Sequence, residues 1–130
     1  RKDSVVSYLL LEECLRVDLN KRSNRLMGVM DPVKVTITNW IGGTECVEVE
    51  NNPEDESAGK RMIPFSGELW IEGEDFREEA NNKYHRLKLG GEVRLKGAYV
   101  IKADSVVKNT DGNITEILCT YQRHIFYSVN

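Results

Sequence analysis

Histidine and cysteine are scarce, two and three in 130 residues. His85 and His124 share no ligand spacing with each other or with the cysteines, which argues against zinc. Cys14, Cys46 and Cys119 are odd in number and widely separated. They therefore suit neither a disulfide framework nor a CxxC metal site, and buried thiols in a cytoplasmic protein are the expectation. Long apolar runs are missing too. The longest have four residues, as in Tyr8-Leu9-Leu10-Leu11, and fall far short of the ~20 residues of a membrane span. No apolar stretch of the signal-peptide kind follows Arg1 and Lys2. A chain that begins with Arg1 rather than Met reads as processed or cut from a longer one.

Catalytic signatures are equally absent. There is no GxxxxGK[ST] phosphate loop, no HExxH and no GxSxG, and Gly90-Gly91 has no third glycine. Glu78 and Glu79 are neighbours in sequence. Adjacent side chains point in different directions on a helix or a strand, so these two make a poor acid–base pair. No catalytic residue and no metal ligand is expected in this chain.

What is present is one ordinary domain's worth of apolar residues, 40% of the chain, with 30% charged. The net charge of −3 hides a segregation. From Glu45 to Glu79 twelve acids stand against three bases, a local net of −9. From Lys83 to Lys108 seven bases stand against two acids, a local net of +5. A basic stretch in an acidic chain is either a local footprint for a polyanion or a solvated strand face.

The apolar spacing changes once along the chain. Leu11, Leu15 and Leu19 recur every four residues with Cys14 beside them, which predicts a helix from about Ser7 to Arg22 with Ser7 as N-cap. Val33, Val35 and Ile37 then alternate with polar residues, the period of a half-buried strand. Gly42-Gly43 predicts a turn before a strand holding Cys46, Val47 and Val49, and Asn51 to Lys60 a polar loop. Phe65 to Ile71 reads as one β-rich run, and Glu74 to Asn82 as acidic with helical-turn character. Leu87 and Leu89 precede a Gly90-Gly91 turn, after which Val93 and Leu95 alternate with bases. Asp111-Gly112 between Tyr99–Val107 and Ile114–Tyr121 is a strong hairpin signal. One helix followed by some six short strands predicts a mainly β fold, a small antiparallel barrel.

Lys83-Tyr84-His85-Arg86 interleaves a ring with cations. If extended, Lys83 and His85 share one face while Tyr84 and Arg86 share the other. Such sets suit unpaired RNA bases, which stack on aromatics and on Arg. They equally suit a buried Tyr84 with solvated neighbours. Arg25, Arg86 and Arg94 carry forks able to pair with a phosphate or with guanine.

Longer stretches are more specific. LEECLRVDLNKRSNR (Leu11 to Arg25), MDPVKVTITNW (Met30 to Trp40), IPFSGELWIEGEDFREEANNKYHRLKLGGEVRLKGAYVIKA (Ile63 to Ala103) and DGNITEILCTY (Asp111 to Tyr121) together resemble bacterial glutaminyl-tRNA synthetases. The resemblance runs colinearly from Ser4 to Tyr121, where those enzymes leave the catalytic half and build their proximal anticodon-binding barrel. It implies a helical connector over residues 1–25, the barrel over 26–121 and a divergent tail over 122–130. It implies an incomplete barrel, without the distal barrel and its returning strands, and hence self-association through a bare edge.

The resemblance also implies roles. Asn20 and Arg25 match residues facing the anticodon stem and loop. Pro53 matches a proline beside the middle base. Arg86 matches an arginine that holds the third base, a guanine, with Lys83 and His85 beside it. Arg94 and Lys96 lie on the strand at the first base. Four positions depart from the enterobacterial pattern: Glu54 stands for Asn, Lys83 for Gln, His85 for Lys and Lys96 for Arg. The implied partners are the anticodon stem-loop of glutamine tRNA and the catalytic and distal domains of a parent ligase. ATP and Mg2+ would act in that catalytic half, with no cofactor and no activity in this chain alone. A free-standing barrel that binds another RNA, such as ribosomal RNA, or a protein is the alternative. The helix from Leu11 to Leu19 discriminates: a free-standing protein would bury its apolar face on the barrel, whereas the synthetase would cover it with the catalytic half.

Overall fold

The structure is a computed structural model that describes residues 4–122. Within them the chain forms two compact units. One takes the chain up to Met27 together with Glu48–Arg61; the other takes Gly28–Val47 and the residues from Met62 onward.

The first unit holds helix α1, Tyr8–Arg22. Ser7 caps it as expected, its hydroxyl accepting from the Leu10 N–H at 3.3 Å. Lys21 and Arg22 complement the negative end of the helix dipole in the last turn. None of its residues is buried. Leu11, Leu15 and Leu19 are 51%, 49% and 44% exposed, so the apolar face predicted by their spacing lies uncovered. Cys14 on the same helix is exposed as well.

The second unit is mainly β. Its strands are β1 (Pro32–Ile37), the start of β2 (Glu45–Glu50), the end of β3 (Lys60–Phe65), β4 (Glu68–Glu72), β5 (Phe76–Arg77), β6 (Leu87–Lys88), β7 (Glu92–Arg94), β8 (Val100–Lys108) and β9 (Ile114–Gln122). A curled five-stranded sheet runs β4-β1-β9-β8-β7, with β2 paired to β3 and β5 to β6 in two-stranded ladders. This is the incomplete barrel expected, with one amendment. Pairing is antiparallel throughout the large sheet except between β1 and β9, which run parallel, Val35 opposite Ile117. The short β5–β6 ladder is parallel too.

The core follows from the alternation. Val35 and Ile37 on β1, Ile101 and Ala103 on β8, and Ile117 and Cys119 on β9 are buried, joined by Phe65, Phe76, Leu87 and Ala98. Of the three thiols expected inside, only Cys119 is buried; Cys46 is exposed like Cys14. The reason is position: Cys46 lies at the exposed start of β2, and Cys14 on a helix with no buried residue. Burial pushes the Cys119 thiol up to about 11, with the charge of Asp104 adding to it.

Two local expectations are corrected. The run Phe65 to Ile71 is two strands, because the chain turns at Ser66-Gly67. A Cβ on Gly67 would lie 2.9 Å from that of Trp40, so only glycine lets the turn close on this residue. The Gly67 carbonyl accepts from the Ile37 N–H at 2.7 Å. The segment from Glu74 makes a single 3-10 turn, Gly73–Asp75, and then enters strand β5. Phe76 is buried, and its place in the core decides against a longer helical stretch. The predicted hairpin stands. Asn109 organises it, its side-chain oxygen accepting from Asp111 and Asn113 N–H groups at 3.0 and 2.9 Å, with Gly112 at φ +83°. Gln122 closes β9, its amide donating to Glu92 at 3.2 Å. The rest of the tail expected to diverge lies outside the described residues.

Candidate nucleic-acid interface

The residues singled out in sequence fall in both units. In the first, the Asn20 backbone and the loop of Pro53 are tied together by a group that sequence reasoning missed, Asn52. It is 3% exposed, the one buried polar side chain among the described residues. Its Nδ2 donates to the Asn20 carbonyl at 2.9 Å, and its Oδ1 accepts from the Glu54 N–H at 3.0 Å. That fixes the loop carrying exposed Pro53 against the end of α1. The Arg25 N–H donates to the Asn51 carbonyl at 2.6 Å, and Arg61 donates to the Arg25 carbonyl and, at 3.0 Å, to the Asn51 side chain. The Arg25 guanidinium itself stands 3.5 Å from a Glu54 carboxylate oxygen. The only cue to this hub was the Asn51-Asn52-Pro53 turn signal.

In the second unit, residues 83–86 are not a strand. The alternation that Lys83, Tyr84, His85 and Arg86 would show if extended therefore does not arise. The chain turns here, the Lys83 and Tyr84 N–H groups donating to the Asn81 side chain and carbonyl. All four side chains line one open concavity of about 620 Å³ with Glu74, Phe76 and Arg77. Tyr84 is half-buried, and its hydroxyl donates to the Glu74 carbonyl at 3.1 Å. Arg77 lies over the ring, its Cζ 4.8 Å from the centroid.

His85 and Arg86 also line a second concavity of about 230 Å³, which takes in Arg94 and the apolar side chains of Leu95 and Ile101. Lys96 sits exposed in the turn after β7 and lines neither. The two segments of opposite charge meet in pairs. Arg86 binds Asp75 at 2.6 Å, and Lys108 binds Glu78 at 2.8 Å. Both pairs are well exposed, so each is worth only ~0–1 kcal/mol and is readily exchanged for a better anion. The Asp75 contact engages one Arg86 Nη, leaving most of its five N–H donors available. Among the described residues Lys83, His85 and Lys88 have no ion pair. Nor do the described residues include three or more His, Cys, Asp or Glu grouped to hold a metal.

A turn that aims a ring and several cations into one open concavity offers stacking and charge together, the chemistry of unpaired nucleotides. Residues 23–122 match the family of class I tRNA synthetases (E and Q), anticodon-binding domain. The chain belongs to this family. It is similar to the glutamine–tRNA ligase of Photobacterium profundum, 52% identical over 93% of the chain and 22% of that relative. The glutamine–tRNA ligase of Rhodopirellula baltica is 56% identical over 92% of the chain and 20% of its own length. That of Escherichia coli O157:H7 is 52% identical over 93% and 22%. The chain thus spans roughly a fifth of the length of the curated relatives it matches. As a family member it is an anticodon-binding domain, with the mainly β fold described above. No described helix is long and apolar enough to cross a membrane.

Proposed function

We propose that this chain is the anticodon-binding part of a cytoplasmic glutamine–tRNA ligase and that it recognises the anticodon stem-loop of glutamine tRNA. The observation that carries the proposal is the turn at residues 83–86, which brings Lys83, Tyr84, His85 and Arg86 to one concavity. Arg86 reads the third anticodon base, since its open fork matches guanine N7 and O6. Lys83 supplies charge beside it, and His85 a ring with a hydrogen-bonding nitrogen. Arg94 and Lys96 serve the first base, Asn20 and Arg25 meet the stem and loop, and Pro53, in the loop that Asn52 fixes, lies beside the middle base. The departure at Glu54 gives Arg25 a carboxylate partner. RNA that takes this guanidinium must therefore displace or share it.

Residues 1–25 lead from the catalytic half of the parent, which would cover the apolar face of Leu11, Leu15 and Leu19. The parent reaction attaches glutamine to tRNA with ATP. ATP and Mg2+ act in the catalytic half, and this chain contributes recognition to the reaction. Among the described residues the terminal strands β4 and β7 leave bare edges, through which two copies associate. Sedimentation showing only monomer over a wide concentration range would exclude that association.

The test of the function is binding to glutamine tRNA at about physiological salt, beside the same tRNA with its anticodon changed. Preference for the native anticodon is expected. Equal binding to both would overturn base reading, and no binding would overturn the RNA partner altogether.

A further inference from the structure

Arg77 stands out because it is held in place yet uncommitted. Its backbone is fixed on β5, paired with Lys88, and its carbonyl accepts from the Leu89 N–H at 3.1 Å. Its guanidinium rests over the Tyr84 ring at 4.8 Å. That ring is itself tied down through its hydroxyl to the Glu74 carbonyl. Among the described residues the Arg77 guanidinium makes no hydrogen bond and no ion pair. Three other arginines differ: Arg86 is paired with Asp75, Arg25 with Glu54, and Arg61 is turned to carbonyls. The nearest acid in sequence, Glu78, is engaged by Lys108. Among the described residues Glu74 is the one carboxylate on the wall of the concavity, against Arg77, Lys83, Arg86 and the imidazole of His85.

A guanidinium held over a ring face by cation–π attraction keeps its five N–H donors for other acceptors. Its fork can make two parallel hydrogen bonds to a phosphate, and a side chain already placed has less freedom to lose on binding. We propose that Arg77 is a further RNA-binding residue of this domain, its fork taking a backbone phosphate of the nucleotide seated in the concavity while Tyr84 holds it in register. The proposal rests on the anticodon-binding reading above. It assigns Arg77 affinity, in contrast to the base discrimination assigned to Arg86.

The experiment uses the 130-residue chain and three RNAs: the glutamine anticodon stem-loop as a hairpin, the same hairpin with its third anticodon base changed, and single-stranded oligouridylate. Binding is measured across a salt series for the wild type, Arg77→Met and Arg77→Lys. Met still covers the ring but carries no charge, and Lys restores the charge without the fork. Arg77→Met is expected to weaken both hairpins alike, about tenfold, and to flatten the log–log salt slope by ~0.7–1, one phosphate contact. Arg77→Lys is expected to recover the slope and part of the affinity. Wild-type affinity and slope in Arg77→Met would reduce Arg77 to ring cover and overturn the proposal. If Arg77→Met lowers the melting temperature, recovery of stability by Arg77→Lys without recovery of slope overturns it as well. Should the wild type fail to distinguish the hairpins while Arg77→Met still flattens the oligouridylate slope, the anticodon reading falls and Arg77 stands. Binding of the wild type to none of the RNAs removes both.

Discussion

The two units of this chain are held by different physics. The second is built on ten buried residues, nine of them on strands far apart in sequence, with Val35, Ile101, Ala103, Ile117 and Cys119 fully enclosed. The first has a helix with no buried residue, one buried apolar side chain, Val49, and hydrogen bonds converging on one enclosed amide, Asn52. Their candidate RNA-facing cations differ in the same way. Arg25 already has a carboxylate partner and its carbonyl is engaged by Arg61. In the second unit, Arg77 and Lys83 line a concavity without an ion pair among the described residues, beside Arg86, which is paired with Asp75. A packed sheet can present a cluster of uncompensated cations because its stability comes from elsewhere.

The largest expected contrast is in the packing itself. Ile117→Ala should cost ~2–5 kcal/mol of unfolding free energy, the usual loss for a buried branched side chain. Leu15→Ala on α1, half exposed, should stay within ~0.5 kcal/mol. Urea denaturation of the two variants decides; similar losses would mean that the leucine face of α1 is covered in this chain. Asn52→Ala should come next, at ~1–3 kcal/mol, because it removes two hydrogen bonds and leaves the Asn20 carbonyl without that donor. Faster amide exchange confined to residues 51–59 and the end of α1 would localise the loss; exchange spread over the sheet would contradict a separate hub.

The comparison of cations is sharpened by Arg86→Ala beside Lys88→Ala. The first should cost ~1–3 kcal/mol of binding to the cognate anticodon and relax discrimination at one base, with stability nearly unchanged. The second should weaken all tRNAs about equally and flatten the salt slope. Equal losses from both on all tRNAs would refute base reading by Arg86. The smallest effect concerns the thiols. Cys14 and Cys46, both exposed, should react with a thiol reagent in the native protein, and Cys119 only on unfolding. Because the folded Cys119 pKa is raised from 9.0 to about 11, the unfolded chain loses its proton first. Stability linked to this group is therefore complete below pH 9.0 and is lost as pH rises towards 11. Cys119→Ala should remove that alkaline decline, as read by melting temperature against pH.

Much of this is legible in the sequence, and the gaps have physical causes. The helix, its Ser7 cap, the alternation on β1 and the Asp111-Gly112 turn are local signals, and each has its counterpart in the structure. Gly67 and Phe76 escape local reading because long-range packing decides them, the one against Trp40 and the other in the core. The concavity at residues 83–86 depends on a turn set by Asn81, so a strand period puts its side chains on the wrong faces. Asn52 and Arg77 are hidden for a related reason. Nothing in their immediate sequence distinguishes a buried amide from a solvated one, or a stacked guanidinium from a free one.

The most direct test is to map amide chemical-shift changes when the isotopically labelled chain is titrated with the glutamine anticodon stem-loop. Perturbations should centre on residues 76–86 and Arg94. Weaker ones are expected at Asn20, Arg25 and the loop amides flanking Pro53, while the Leu11 to Leu19 face stays silent. Perturbations confined to that helix face, or to the edge strands β4 and β7 with residues 76–86 unmoved, would contradict an RNA site built on the concavity.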